Sequence, residues 1–196
     1  ARAVPPPPAL SSLSDVQQRL GDCKRCGLCQ ERTHLVFGEG SKAARLFFVG
    51  EGPGADEDQL GQPFVGAAGQ LLNKIIEAMG YRRADVYIAN IVKCRPPANR
   101  TPKPEEVASC LPFLRAQIDL IQPRVVVALG LTAAKALTQK ESTMANLRGR
   151  FASVFWNPEL PLMATYHPAY LLRNPEAKKI VWEDMKQVKT RLDLLH

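Results

Sequence analysis

A three-layer α/β/α domain around a central, mainly parallel four-stranded sheet is the fold this sequence predicts. Two observations carry it. RLFFVGE (Arg45 to Glu51), VYIANIV (Val86 to Val92) and VVVALG (Val125 to Gly130) are continuous apolar runs, the pattern of strands buried on both faces. Between them lie segments of helical periodicity. Strand alternating with helix is the βαβ pattern, whose crossovers are right-handed. At 196 residues the chain can bury roughly 70% of the surface it would expose unfolded, so a metal is not needed merely to make a core.

The elements follow in order. ARAVPPPPAL opens the chain, and four consecutive prolines, Pro5 to Pro8, exclude helix and central strand. Residues 1–12 are therefore expected as a flexible proline-rich lead-in to a domain spanning 13–196. A first helix is predicted near Ser14, which would cap it ahead of Val16 and Leu20. Ala67 to Met79 places Leu71, Leu72, Ile75, Ile76 and Met79 on one helical face, with Gly80 as a stop. Lys103 to Ile121 is a second crossover helix. A short β segment around Phe151 to Trp156 precedes PLMATYH (Pro161 to His167), the fourth strand of the predicted sheet. An amphipathic helix from about Pro175 to Leu195 closes the chain.

A formal charge of +7 and a pI near 9.3 favour an anionic partner, because a basic face attracts polyphosphate and releases its counterions. No stretch approaches the ~20 apolar residues of a membrane span, and the start lacks the apolar core of a signal peptide. A cytoplasmic protein without membrane contact is the expectation. The cysteine count of five is odd, which suits reduced thiols and a metal centre better than a disulfide framework. They fall as Cys23-x2-Cys26, with Cys29 beyond, and Cys94-x15-Cys110. Thiolates far apart in sequence can converge on an iron–sulfur cluster or on zinc.

Two loops after apolar runs stand where α/β proteins place ligands. GEGPGADED (Gly50 to Asp58) lacks the spacing of a phosphate loop. Its glycine-rich turn, Gly52 included, lets backbone N–H groups approach a ligand beside Glu51, whose carboxylate can activate water. Asp56, Glu57 and Asp58 suit the N-terminus of the next helix. HPAYLLRNP (His167 to Pro175) begins with a histidine able to act as donor or acid/base. Leu171, Leu172 and Arg173 could wedge a base stack while the cation meets phosphate, or pack against the last helix. Asn90, a polar amide inside an apolar run, needs partners if buried, and its donor and acceptor match a nucleobase edge. Phe64, in GQPFVG, can stack on a flat ligand or fill the core.

Together GEGPGADED with QPFVG, YIANIVKCRPP and HPAYLLRNP resemble the iron–sulfur uracil-DNA glycosylases, family 4 of the uracil-DNA glycosylase superfamily. The resemblance runs from Cys23 to the C-terminus. It implies a [4Fe–4S] cluster on Cys23, Cys26, Cys94 and Cys110, although spacing alone leaves Cys23 and Cys29 as alternatives. It implies that Glu51 activates water, that His167 hydrogen-bonds uracil O2, that Asn90 reads the base edge and that Phe64 stacks on the ring. Glu57 would crowd C5 against thymine, and Leu171 with its neighbours would form the wedge. Family 5 lacks the acid after the first glycine, so Glu51 favours family 4. CRPPANRTPKPEEVASC has no basic, histidine-containing insertion of the kind found in the class that bonds covalently to abasic DNA. The implied enzyme is a monomer that hydrolyses the N-glycosidic bond of deoxyuridine in single- or double-stranded DNA. A non-catalytic DNA-binding module of the same fold, and a zinc-containing one, are the alternatives.

Overall fold

The computed structural model describes residues 10–194, so most of the proline-rich lead-in, residues 1–9, lies outside the described residues. Leu10 packs beside Val16, Leu20 and Phe113. Helix α1 (Leu13–Leu20) is capped by Ser12, whose side chain accepts from the Asp15 N–H; the cap is two residues earlier than the predicted Ser14. A 3₁₀ turn (Gly27–Gln30) leads to the two-residue strand β1 (Glu39–Gly40). Then come β2 (Leu46–Gly50), α2 (Ala55–Leu60), α3 (Ala67–Ala78), β3 (Tyr87–Asn90), α4 (Pro104–Ile121) and β4 (Val125–Leu129). The C-terminal part holds α5 (Leu131–Thr138), α6 (Met144–Leu147), β5 (Phe151–Val154), β6 (Asn157–Thr165), α7 (Pro168–Arg173) and α8 (Lys178–Asp193).

The sheet has six strands in the order β1-β3-β2-β4-β6-β5, not the predicted four. Its parallel centre, β3-β2-β4-β6, is the predicted set. The additions are antiparallel edges: β1 pairs with β3, and β5 forms a hairpin with β6. A two-residue strand has no period to read, and β5 has two half-buried residues, one exposed and only Val154 buried, so neither shows the continuous apolar run of a central strand.

Strand alternation sends side chains to two cores. Phe47, Val49, Val126, Ala128 and Leu162 pack under α4 and α5, against Leu114, Ile118, Ala133 and Leu137. Leu46, Phe48, Ile88, Val127 and Met163 pack under α3 and α8, against Leu72, Ile76, Met185 and Val188. Every residue of β2, β3 and β4 is buried, which the uninterrupted apolar runs require. The four parallel strands end on one side of the sheet, bringing Gly50, Asn90, Leu129 and Thr165 to a common rim. Among the described residues no helix is long and apolar enough to cross a membrane.

Candidate active site

At that rim opens a cavity of about 500 Å³, whose lining includes Glu51, Gly52, Glu57, Phe64, Asn90, His167 and Arg173. A larger groove of about 890 Å³ runs between α4 and α5 past Trp156 and holds none of these residues. The rim is chemically the richer place. Asn90 lies opposite Gly50 in the β2–β3 register, and the pairing continues outward through Ile91 N–H to the Gly50 carbonyl (2.9 Å) and Val92 N–H to the Glu51 carbonyl (3.1 Å). Glu51 and Asn90 are thereby fixed relative to one another by main chain. A side chain at Gly50 would collide with Asn90 Oδ1 and the Phe64 ring, so glycine is required there.

Asn90 is 1% exposed, and its Oδ1 is the one buried side-chain polar atom among the described residues with no hydrogen-bond partner. Such an atom costs ~1–3 kcal/mol unless a ligand satisfies it. Phe64, 5% exposed, stands with its ring centroid 5.5 Å from that of His167, the planes 31° apart. Its backbone is left-handed (φ 52°), a conformation a phenylalanine keeps only when its surroundings impose it. They do. Arg83 donates to the carbonyls of Phe64 and Pro63 and to Glu39 of β1, while Glu57 Oε1 accepts the N–H groups of Val65 (2.8 Å) and Gly66 (2.9 Å). Gly69 of α3 lies so close beneath that a Cβ would overlap the Phe64 carbonyl.

Glu57 Oε2 also accepts the Gly54 N–H at 3.1 Å. Its carboxylate therefore clasps the GEGPG turn to the Phe64 loop and remains part of the cavity wall. Asp58, read in the sequence with its neighbours as a helix-terminal acid, is buried and accepts the N–H of Thr33 at 2.9 Å. That contact joins α2, which follows the GEGPG turn, to the segment that follows the first cysteines.

His167 is the N-cap of α7, so HPAYLLRNP is largely helical rather than a loop. Its Nδ1 accepts the Ala169 N–H at 3.1 Å, which places the ring proton on Nε2. Burial pushes its pKa from 6.5 down to about 4, with Arg173 acting in the same direction and Glu57 opposing. The ring is neutral at pH 7 and carries its proton on Nε2. Of the predicted wedge residues the structure removes one: Leu171 is 1% exposed and packed in the α3–α8 core, so it cannot enter a base stack. Leu172 is 47% exposed and Tyr170 38%. Arg173, expected beside the leucines as a phosphate contact, lines the cavity.

Arg100, not singled out from the sequence, also lines the cavity. Glu106 holds it through two hydrogen bonds of 2.7 and 2.8 Å, and the guanidinium holds the Glu106 carboxyl at about 2. An ion pair six residues apart across a helix start has no distinctive pattern in sequence.

All five cysteines are free thiols, and all line one small apolar cavity. Cys94 is in electrostatic reach of Cys23 and Cys26, and Cys110 of Cys26 and Cys94; Cys29 couples to Cys26. Burial pushes the Cys26, Cys94 and Cys110 thiols up, Cys110 to about 11. Donors face the sulfurs: Arg25 to Cys23 (3.3 Å), Arg32 to Cys94 (3.2 Å) and the Lys93 N–H to Cys110 (3.3 Å). Among the described residues no three His, Cys, Asp or Glu groups converge on a point suited to a single ion. Five thiols around one small cavity are a donor set that a thiolate-bound iron–sulfur cluster or zinc can use.

Residues 37–186 match the model of the uracil DNA glycosylase superfamily. The chain belongs to that superfamily. It is 48% identical over 178 residues to a type-4 uracil-DNA glycosylase of Thermotoga maritima, covering 89% of this chain and 92% of the relative. It is 43% identical over 188 residues to a type-4 uracil-DNA glycosylase of Sulfurisphaera tokodaii, covering 92% and 84%. The third, from Archaeoglobus fulgidus, is 40% identical over 184 residues, covering 91% and 92%. Within the superfamily the chain groups with these type-4 glycosylases, as the acid at Glu51 implied. The superfamily's matched region begins at Phe37, so Cys23, Cys26 and Cys29 precede it while Cys94 and Cys110 fall within it.

Proposed function

We propose that this chain is a DNA-repair glycosylase that hydrolyses the N-glycosidic bond of deoxyuridine in DNA, releasing uracil and leaving an abasic site. The observation that carries the reading is the unpaired, buried Oδ1 of Asn90 beside an aromatic platform at the strand rim. Uracil offers the N3–H such an acceptor requires, and the amide N–H₂ of Asn90 can donate to O4. Cytosine presents the opposite pattern at both positions. The target nucleotide must leave the stack to reach this depth, at a cost of a few kcal/mol.

Once flipped, the base lies against Phe64. As the glycosidic bond lengthens, negative charge grows on uracil O2 and positive charge on the sugar. The neutral Nε2–H of His167 donates to O2 without carrying a competing proton load, and Glu51 orients the attacking water and faces the sugar charge. Glu57, immobilised by three N–H groups, is a rigid wall against a 5-methyl substituent and so disfavours thymine. Leu172, with Arg173 beside it, fills the gap left in the stack. Cys23, Cys26, Cys94 and Cys110 would hold a [4Fe–4S] cluster, which when bound ties the N-terminal segment, the end of β3 and α4 together covalently and moves no electrons in the hydrolysis.

Single-turnover excision from a uracil-containing oligonucleotide, read by alkaline cleavage, tests the reading. Asn90→Ala is expected to lose at least about tenfold in rate. Excision at the parental rate would remove Asn90 from the site, and absence of any uracil release by the unaltered protein would refute the function.

A further inference from the structure

Lys93 is fully buried, 0% exposed, immediately before Cys94. Lysine is almost never found at that depth unless paired. Its Nζ donates to the Asn90 carbonyl at 3.0 Å and to Gln117 Oε1 at 2.7 Å. Its backbone N–H donates to Cys110 Sγ at 3.3 Å, and its ammonium interacts electrostatically with the same sulfur. Gln117, on α4, donates in turn to the Phe37 carbonyl at 2.9 Å and meets the Tyr87 hydroxyl at 3.4 Å. The side chain of Lys93 therefore reaches back toward the start of the strand's exit, while its backbone belongs to the thiol cavity. It does not line the rim cavity, so it cannot touch the base.

We propose that Lys93 is a positioning residue that couples the thiolate centre to the base-reading end of β3; the role rests on the assignment of Asn90 made above. The peptide between Asn90 and Ile91 is gripped from both sides, its carbonyl by Lys93 and its N–H by the Gly50 carbonyl. With that plane fixed, the Asn90 side chain leaves the backbone in one direction and its amide faces the base without searching. Preorganisation of this kind is lost by small displacements. Removing the ammonium leaves two buried acceptors, the Asn90 carbonyl and Gln117 Oε1, without their donor, and both must move to find another. It also removes a positive charge from beside the sulfurs, where net charge and hydrogen bonds set a cluster's reduction potential.

Lys93→Met, Asn90→Ala and the double variant, prepared anaerobically with cluster, decide the matter. Lys93→Met is expected to keep its iron and visible absorption, to bind uracil-containing duplex as tightly as the parent, and to excise about tenfold more slowly in a single turnover. Adding Lys93→Met to Asn90→Ala should cost nothing further, because the lysine acts through the asparagine. Its cluster potential, read by voltammetry without DNA, should shift to a lower value than the parent's. Parental excision by Lys93→Met, losses that multiply in the double variant, or an unshifted potential would overturn the proposal. Should Lys93→Met prove insoluble, Gln117→Met keeps the lysine but removes its head-group acceptor, and the same non-additivity with Asn90→Ala is expected; a parental rate there overturns the proposal equally. If the unaltered protein releases no uracil, the functional reading fails on its own, and the potential shift still decides whether Lys93 communicates with the thiolates.

Discussion

The cap that His167 makes and the role proposed for it require the same protonation state. Nδ1 must be bare to cap α7, and Nε2 must carry the proton that the proposed bond to uracil O2 needs. Burial enforces this by lowering its pKa from 6.5 to about 4. The sign of the linkage follows. An unfolded chain takes up the proton near pH 6.5 and the folded one only near 4, so between those values the unfolded state binds more protons. The contribution is intact above pH 6.5 and is lost as the pH falls toward 4, at up to about 1.4 kcal/mol per pH unit. His167→Asn, which keeps an acceptor at the cap, is expected to flatten that part of the stability profile; urea midpoints at pH 4.5, 5.5 and 7 measure it, and an unchanged slope would assign the loss to other groups. His167 and Asn90 were legible in the sequence because each is a polar residue interrupting or ending an apolar run. Lys93 was not. It follows the strand where exposure is the default for lysine, and only the fold shows its head turned back onto Asn90.

At the scale of the element, α7 explains why the sequence could not separate Leu171 from Leu172. Leu171 and Leu172 are adjacent and chemically identical, so which one faces solvent depends on the phase of a six-residue helix too short to show a period. The structure gives the core to Leu171 and the surface to Leu172. Leu171→Ala is therefore expected to cost about 2–5 kcal/mol of stability through the cavity it leaves. Leu172→Ala should leave the unfolding midpoint unchanged, slow excision from well-stacked duplex, and spare single strands, where little unstacking is needed. Matched single-stranded, U·G and U·A substrates, with denaturant titrations of both variants, separate the roles; equal losses for Leu172→Ala on every substrate would give it a role other than unstacking, and no loss on any would make it a surface bystander. The central strands, the crossover helices α3 and α4 and the closing helix α8 were readable because burial on both faces, or a long amphipathic repeat, leaves a strong pattern. β1 was invisible at two residues, and its importance lies in Glu39, which receives Arg83 and so braces the Phe64 loop from the sheet edge.

For the molecule as a whole, the thiol cavity joins three distant parts of the chain, and its metal load is directly measurable. Anaerobically purified protein is expected to be yellow-brown with about four irons per chain. Cys23→Ala, Cys26→Ala, Cys94→Ala and Cys110→Ala should each lose that colour, and Cys29→Ala should keep it. Retention of iron by Cys23→Ala with loss in Cys29→Ala would exchange those two ligands, and stoichiometric zinc with negligible iron would replace the cluster altogether. The same connectedness reaches Phe64. Its twisted backbone is held from below by Gly69, which has no surface on the cavity. Gly69→Ala is expected to lower excision through displacement of the ring, and unimpaired excision by that variant would show that the loop yields. In a random library selected for uracil removal, the intolerant positions would then trace a column from Glu39 through Arg83 to Gly69, and someone mapping them blind would outline the brace before finding the pocket.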